Sequence, residues 1–117
     1  MTLDRDPQRM LPLTVPVYYT LLVLADRELH GYAILAEIET RTGGTVRVRT
    51  GTLYTAIKRL LDRGLIEEAS DRPDPELDDE RRRYYRIMAF GRGVLAAEAA
   101  RLVQMVTLAR AQMVLGP

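Results

Sequence analysis

The stretch from Arg49 to Ile66, RTGTLYTAIKRLLDRGLI, decides the fold. At about 100° per residue, Leu53, Ile57, Leu60 and Leu61 fall on one face of a helix. The opposite face carries Thr52, Thr55, Lys58, Arg59 and Asp62, with Tyr54 on its flank. Gly64 ends the helix, because glycine enters the left-handed turn that closes a helix without a steric penalty. The outer face is either merely solvated or presented to a partner, and its neighbours in the chain decide between the two.

Working upstream, Thr50 is placed to cap this helix with its hydroxyl. TVRVR alternates apolar and basic residues, which predicts a short strand at 46–49. GYAILAEIETRTGG predicts a helix with Ile34, Leu35 and Ile38 on one face, ended by Gly43 and Gly44. VYYTLLVLAD predicts an earlier helix to about Asp26, with Pro16 in its first turn, where a missing N–H costs nothing. Residues 1–12, MTLDRDPQRMLP, read as a flexible arm.

Downstream, LIEEA predicts a second strand and RRYYRIM a third, with Tyr85 and Ile87 on one face and Tyr84 and Arg86 on the other. Residues 70–82 hold Pro73, Pro75 and a cluster of acids, so they read as a loop. One long helix follows from about Gly91 to Leu115. Three helices followed by a hairpin make a mainly α (α+β) winged helix-turn-helix, with the hairpin as its wing. The strand at 46–49 is expected to pair with that hairpin and close a three-stranded sheet. The expected organisation is an arm at 1–12, a winged helix domain at 13–90 and a dimerisation helix at 91–117. The Arg49–Ile66 stretch then becomes the second helix of the pair, the one that usually enters the major groove of DNA.

Bulk composition agrees with one domain. The chain has 117 residues, 47% of them hydrophobic, enough for a small core that lacks tryptophan and must be mostly aliphatic. A net charge of +1 conceals a sharp segregation. Arg47, Arg49, Lys58 and Arg59 form one basic block without acids, and Arg81, Arg82, Arg83, Arg86 and Arg92 form another. Between them Asp71, Asp74, Glu76, Asp78, Asp79 and Glu80 face only Arg72. Absence of cysteine excludes disulfides and thiolate metal sites. The N-terminal residues contain no signal-peptide core, and no apolar run approaches the roughly 18 residues of a membrane span. A soluble cytoplasmic protein is therefore expected.

The quoted segments, LLVLADRELHGYAILAEIE, GTLYTAIKRLLDRGLIE and RRRYYRI, closely resemble the PadR family of bacterial transcriptional regulators. The resemblance covers roughly residues 17–95. It rests on His30-Gly31-Tyr32, Gly51-Thr52-Leu53-Tyr54, Gly64-Leu65-Ile66 and Arg83-Tyr84-Tyr85-Arg86 in order. It implies a dimeric winged helix protein that represses transcription and often releases DNA when a small molecule binds. The single C-terminal helix is similar to the smaller PadR subfamily, where it forms the dimer. Two departures stand out. Met88-Ala89-Phe90-Gly91 replaces a Leu-Thr-x-x-Gly pattern, and the lost hydroxyl cap costs about 1 kcal/mol. No tryptophan is present to build an aromatic drug sandwich.

These readings nominate specific residues. On the recognition helix, Thr52 and Thr55 suit base edges or a thymine methyl, while Lys58 and Arg59 suit guanine or phosphate, and Thr50 is a further DNA-binding candidate. Tyr54 is either a phosphate contact or a half-buried packing residue, and Tyr32 either packs or meets the DNA backbone. Arg81, Arg82, Arg83 and Arg86 sit at the base of the wing, where phosphates pass. Their alternative is pairing with the acidic loop, which is expected to point away from a duplex or to remain disordered. Arg47 and Arg49 project from the exposed face of their segment, for phosphate support or plain solubility.

The last helix repeats Leu95, Ala99, Leu102, Val106, Ala109 and Met113 at alternating spacings of four and three, a heptad seam. Val94, Val103, Met105, Leu108 and Leu115 flank it, so the apolar face needs both its own domain and a second chain. Two-fold symmetry implies a near-palindromic operator. The family resemblance also implies a pocket for a small apolar or aromatic effector at that interface, lined by Tyr18, Tyr19, Met105, Val106 and Met113. His30 is the sole histidine, too few for a metal site, and reads as a turn residue. Neither a metal nor a cofactor is expected. No nucleophile–base–acid set is visible and Gly43-Gly44 lacks the Gly-Lys-Ser/Thr of a phosphate loop, so an enzyme is not expected. The alternative function is a ligand-sensing or protein-interaction dimer that keeps the winged helix without specific DNA binding, which the acidic wing and small net charge favour.

Overall fold

In a computed structural model the chain is described over residues 6–69, 83–113 and 116. Its elements in order are a 3-10 helix (Pro7–Met10), α1 (Val15–Leu24), β1 (Leu29–His30), α2 (Gly31–Arg41), α3 (Thr50–Asp62), β2 (Ile66–Glu68), β3 (Tyr84–Ile87) and α4 (Ala89–Ala111). The three strands form one antiparallel sheet in the order β1-β3-β2. Leu29 faces Tyr85 across one ladder, and Ile66 faces Ile87 across the other. This is the expected winged helix arrangement, with β2 and β3 as the wing strands.

Helix α1 is apolar almost all round because it lies at the centre, meeting α2, α3, α4 and β3. Leu21 and Val23 are fully buried, as is Thr20, whose hydroxyl donates to the Pro16 carbonyl at 2.7 Å instead of seeking water. Thr14 caps the helix, accepting the Val17 N–H at 3.4 Å. Ile34 and Ile38 from α2 and Leu53, Ile57 and Leu60 from α3 complete the core beside it. Burying each such side chain stabilises the fold by roughly 1.5–3 kcal/mol.

Helices α2 and α3 end by the same device. The Gly44 N–H donates to Glu39 O at 2.8 Å and the Gly43 N–H to Thr40 O at 3.2 Å. The Leu65 and Gly64 amides repeat the pattern on Leu60 O and Leu61 O. In both motifs the residue past the helix takes a positive φ, 61° at Gly43 and 75° at Gly64, which explains glycine at each position.

Several expectations are corrected. Residues 46–49 form no strand, and the third strand of the sheet is Leu29–His30 instead. The Val46 N–H is taken by the Thr42 hydroxyl at 3.1 Å, so a side chain satisfies the amide that a ladder would have used. Val46 and Val48 pack against the core from a loop, which accounts for the alternation. Thr50 does not cap α3. It is the first helical residue, and the cap position falls to Arg49 with no side-chain bond. The expected arm over 1–12 contains structure in its described part, where Met10 and Leu11 pack against the core and the 3-10 helix meets α4. The acidic loop, with Arg81 and Arg82, lies outside the described residues.

Helix α4 spans 23 residues, about 35 Å at 1.5 Å per residue. Met88 precedes it with no side-chain cap. A Cβ on Gly91 would strike the Leu65 carbonyl and come within 2.9 Å of Ile87 Cγ1, so the first turn packs closely onto the wing base. Two turns on, Glu98 is buried, an outcome its sequence neighbourhood did not signal. It accepts the Leu13 N–H at 2.8 Å and the Arg101 guanidinium, thereby fastening the N-terminal segment to α4. Among the described residues no helix is long and apolar enough to cross a membrane.

Candidate nucleic-acid interface

The outer face of α3 is set by what holds the inner one. Leu53, Ala56, Ile57 and Leu60 are buried, and that phase turns Thr50, Gly51, Thr52, Thr55, Lys58, Arg59 and Asp62 to the surface. The Thr55 hydroxyl donates to Gly51 O at 3.0 Å, leaving its oxygen available as an acceptor. Lys58 pairs with Asp62 at 3.2 Å. With side-chain exposures of 77% and 63%, that pair contributes little stability and yields readily to a stronger anion.

Helix α2 steadies this face through one contact. A Cβ on Gly31, the first residue of α2, would strike the Tyr54 hydroxyl and come within 2.8 Å of Cζ. The Tyr54 hydroxyl is buried there, so this side chain holds the two helices together and does not face outward. His30 caps α2, its Nδ1 accepting the Ala33 N–H at 3.2 Å, and its ring meets Tyr84 edge-on at 5.2 Å. Tyr32, 46% exposed, stands at the surface beside this helix start.

The basic residues divide by partner. Arg47 pairs with Glu39 at 3.6 Å. Arg83 is exposed and lies 3.7 Å from Glu68. Arg86 is bound on the sheet to Glu67 at 2.8 Å and Glu28 at 3.4 Å, and hydrogen bonding to Glu67 raises its pKa above the ordinary arginine value. It therefore ties β3 to β2 and to the segment before β1, where a free phosphate contact was expected. Among the described residues Arg49 and Arg59 have no acidic partner. Both border a cleft of about 830 Å³ between the first turn of α1 and the outer face of α3. Sequence reasoning missed that cleft, because Thr14, Pro16 and Val17 reach it only through tertiary packing.

The C-terminal seam is partly absorbed by its own domain. Val94 is fully buried and Leu95 packs against the core, while Ala99 and Leu102 are half-buried. Beyond them Val103, Met105, Val106 and Leu108 are exposed together, with Ala109 half-buried among them. The helix ends at Ala111, four residues short of the expected Leu115, so Met113 at φ 59° lies outside the heptad phase. Tyr18 and Tyr19 are half-buried on α1 and meet edge-on at 5.4 Å. Among the described residues no group of three or more His, Cys, Asp or Glu side chains is suited to a metal ion.

Residues 20–97 match the transcriptional regulator PadR-like family. An uncharacterised protein of Lysinibacillus sphaericus is 30% identical over 76 residues, covering 65% of this chain and 67% of that one. The structure of a transcriptional regulator from Clostridium thermocellum is similar with a TM-score of 0.69 at 24% identity, over 82% of this chain and 89% of that one. Bacillus subtilis PadR, in complex with operator DNA, is similar with a TM-score of 0.62 at 24% identity. That match covers 74% of this chain and 47% of the Bacillus chain.

Proposed function

Because the chain belongs to the transcriptional regulator PadR-like family, we propose that it is a sequence-specific DNA-binding regulator that acts as a homodimer. The observation that carries this reading is the outer face of α3, where Thr52, Thr55, Lys58 and Arg59 are exposed together over a fully anchored inner face. The operator complex of Bacillus subtilis PadR supports DNA as the partner. Helix α3 enters the major groove, Thr52 and Thr55 meet base edges, and Lys58 and Arg59 reach guanine or phosphate. Thr50, Tyr32 and Arg83, with Arg81 and Arg82 of the wing, contact phosphates, which fix orientation without reading sequence. Tyr54 and Arg86 serve by holding α3 and the wing in place.

Residues 13–90 form the DNA-binding domain and residues 91–117 the dimerisation part. The exposed Val103, Met105, Val106 and Leu108 support this division, since a second copy of α4 would cover them. A two-fold dimer sets its recognition helices about 34–36 Å apart, one turn of DNA, and so suits a near-palindromic operator. Occupancy of the operator represses transcription by excluding the polymerase, and a small-molecule effector relieves it.

Replacing Lys58 and Arg59 together with alanine tests the reading. Each contact to a base contributes roughly 1–3 kcal/mol, so operator affinity should fall at least tenfold while the dimer persists. Unchanged affinity would refute the assigned face.

A further inference from the structure

The four cations between residues 47 and 59 are not equivalent. Arg47 and Lys58 each carry a counter-charge, Glu39 and Asp62. Arg49 and Arg59 have none among the described residues, and they share one cleft. Nine residues lie between them, and ten steps along α3 rise about 15 Å, so the two arginines are spaced along the cleft. Its middle is apolar, with Val17 and Ala56 buried as a floor and Pro16 beside them. Thr52 adds a hydroxyl at the rim. A volume of about 830 Å³ is within the usual span of small-molecule sites.

These features select one chemistry. A small inorganic anion would satisfy an arginine yet leave the apolar floor wet. A neutral hydrocarbon would cover the floor yet strip water from two guanidinium groups without replacing it. An amphipathic organic anion satisfies both, setting its charged group on a guanidinium and its hydrocarbon or aromatic body over Val17, Ala56 and Pro16. We propose that the cleft between α1 and α3 is a binding site for such an anion. Its consequence rests on the functional reading above. Thr52 and Arg59 belong to both the cleft and the DNA-reading face, so ligand and operator exclude one another. Release of DNA then needs no change in the separation of the two recognition helices. The effector competes directly.

Titration of the full chain with the anionic dye anilinonaphthalene sulfonate, followed by fluorescence without DNA, tests the site. Arg49→Ala and Arg59→Ala should each weaken the dye by roughly tenfold, the worth of one charge-assisted hydrogen bond. Arg47→Ala, whose guanidinium pairs with Glu39 and does not line the cleft, should leave dye affinity within about twofold of the parent. Dye binding that survives both arginine replacements, or that falls as far in Arg47→Ala, would overturn the proposal. Adding a DNA duplex that the chain binds should displace the dye; simultaneous binding at undiminished affinity would overturn the competition. A chain that takes the dye through its arginines but binds no DNA would refute the functional reading alone, so the two failures are separable.

Discussion

Gly31→Ala probes the contact that orients the recognition helix. Alanine is ordinarily the better helix residue by about 0.5–1 kcal/mol. Here its Cβ would strike the Tyr54 hydroxyl and sit 2.8 Å from Cζ and 3.3 Å from Cε1. Carbon atoms are best separated by roughly 3.5–4.0 Å, so the ring must shift within a packed interior. Overpacking of this kind costs about 1–3 kcal/mol, which outweighs the helix preference. The expected net loss is about 1–2 kcal/mol, a fall in Tm on the order of 5–15 °C for a domain of this size. Tyr54→Phe removes the atom that a new Cβ would meet first. In that background Gly31→Ala should cost about 1 kcal/mol less, a coupling well above the roughly 0.3–0.5 kcal/mol of independent sites. Thermal unfolding of the four proteins by circular dichroism, all at one concentration, measures this cycle. Additive effects, or stabilisation by Gly31→Ala alone, would refute the reasoning.

Glu98 makes stability depend on pH. Its hydrogen bond with Arg101, helped by the Leu13 N–H and opposed by burial, holds its carboxyl below the ordinary carboxylate range. A lowered folded pKa means that its contribution is complete above the unfolded-state pKa and is lost as pH falls through the folded one. Glu98→Gln should therefore cost about 1–3 kcal/mol at neutral pH and flatten the acid limb of a Tm–pH profile; parallel profiles would contradict this. At the other end of α4, Leu102→Asp with Val106→Asp should give folded monomers in sedimentation, because the seam loses its apolar face. Persisting dimers would place the interface elsewhere.

What the sequence made legible follows from how local each cause is. The phase of α3 was plain because Leu53, Ile57 and Leu60 repeat with the helix period and the polar residues keep to the other side. The ends at Gly43 and Gly64 were plain because a left-handed residue is a local demand. The strand misplaced at 46–49 shows the limit of such patterns. Alternation reports one-sided burial, and a loop satisfied by Thr42 produces it as well as a ladder does. Leu29–His30 is too short for any periodicity to betray it. Glu98 carries no local signal in an alanine-rich helix, since its partner, the Leu13 N–H, arrives from 85 residues away. Likewise the Tyr54–Gly31 contact unites two motifs that the sequence shows only as separate matches.

The central claim is that α3 reads DNA, and binding to the promoter fragment upstream of the chain's own coding region tests it most directly. Affinity should be measured against a scrambled fragment of equal length across a series of salt concentrations. The account predicts tight binding to the promoter alone, with log K falling linearly in log salt by roughly 0.9 per phosphate neutralised. Equally weak binding to both fragments would contradict it.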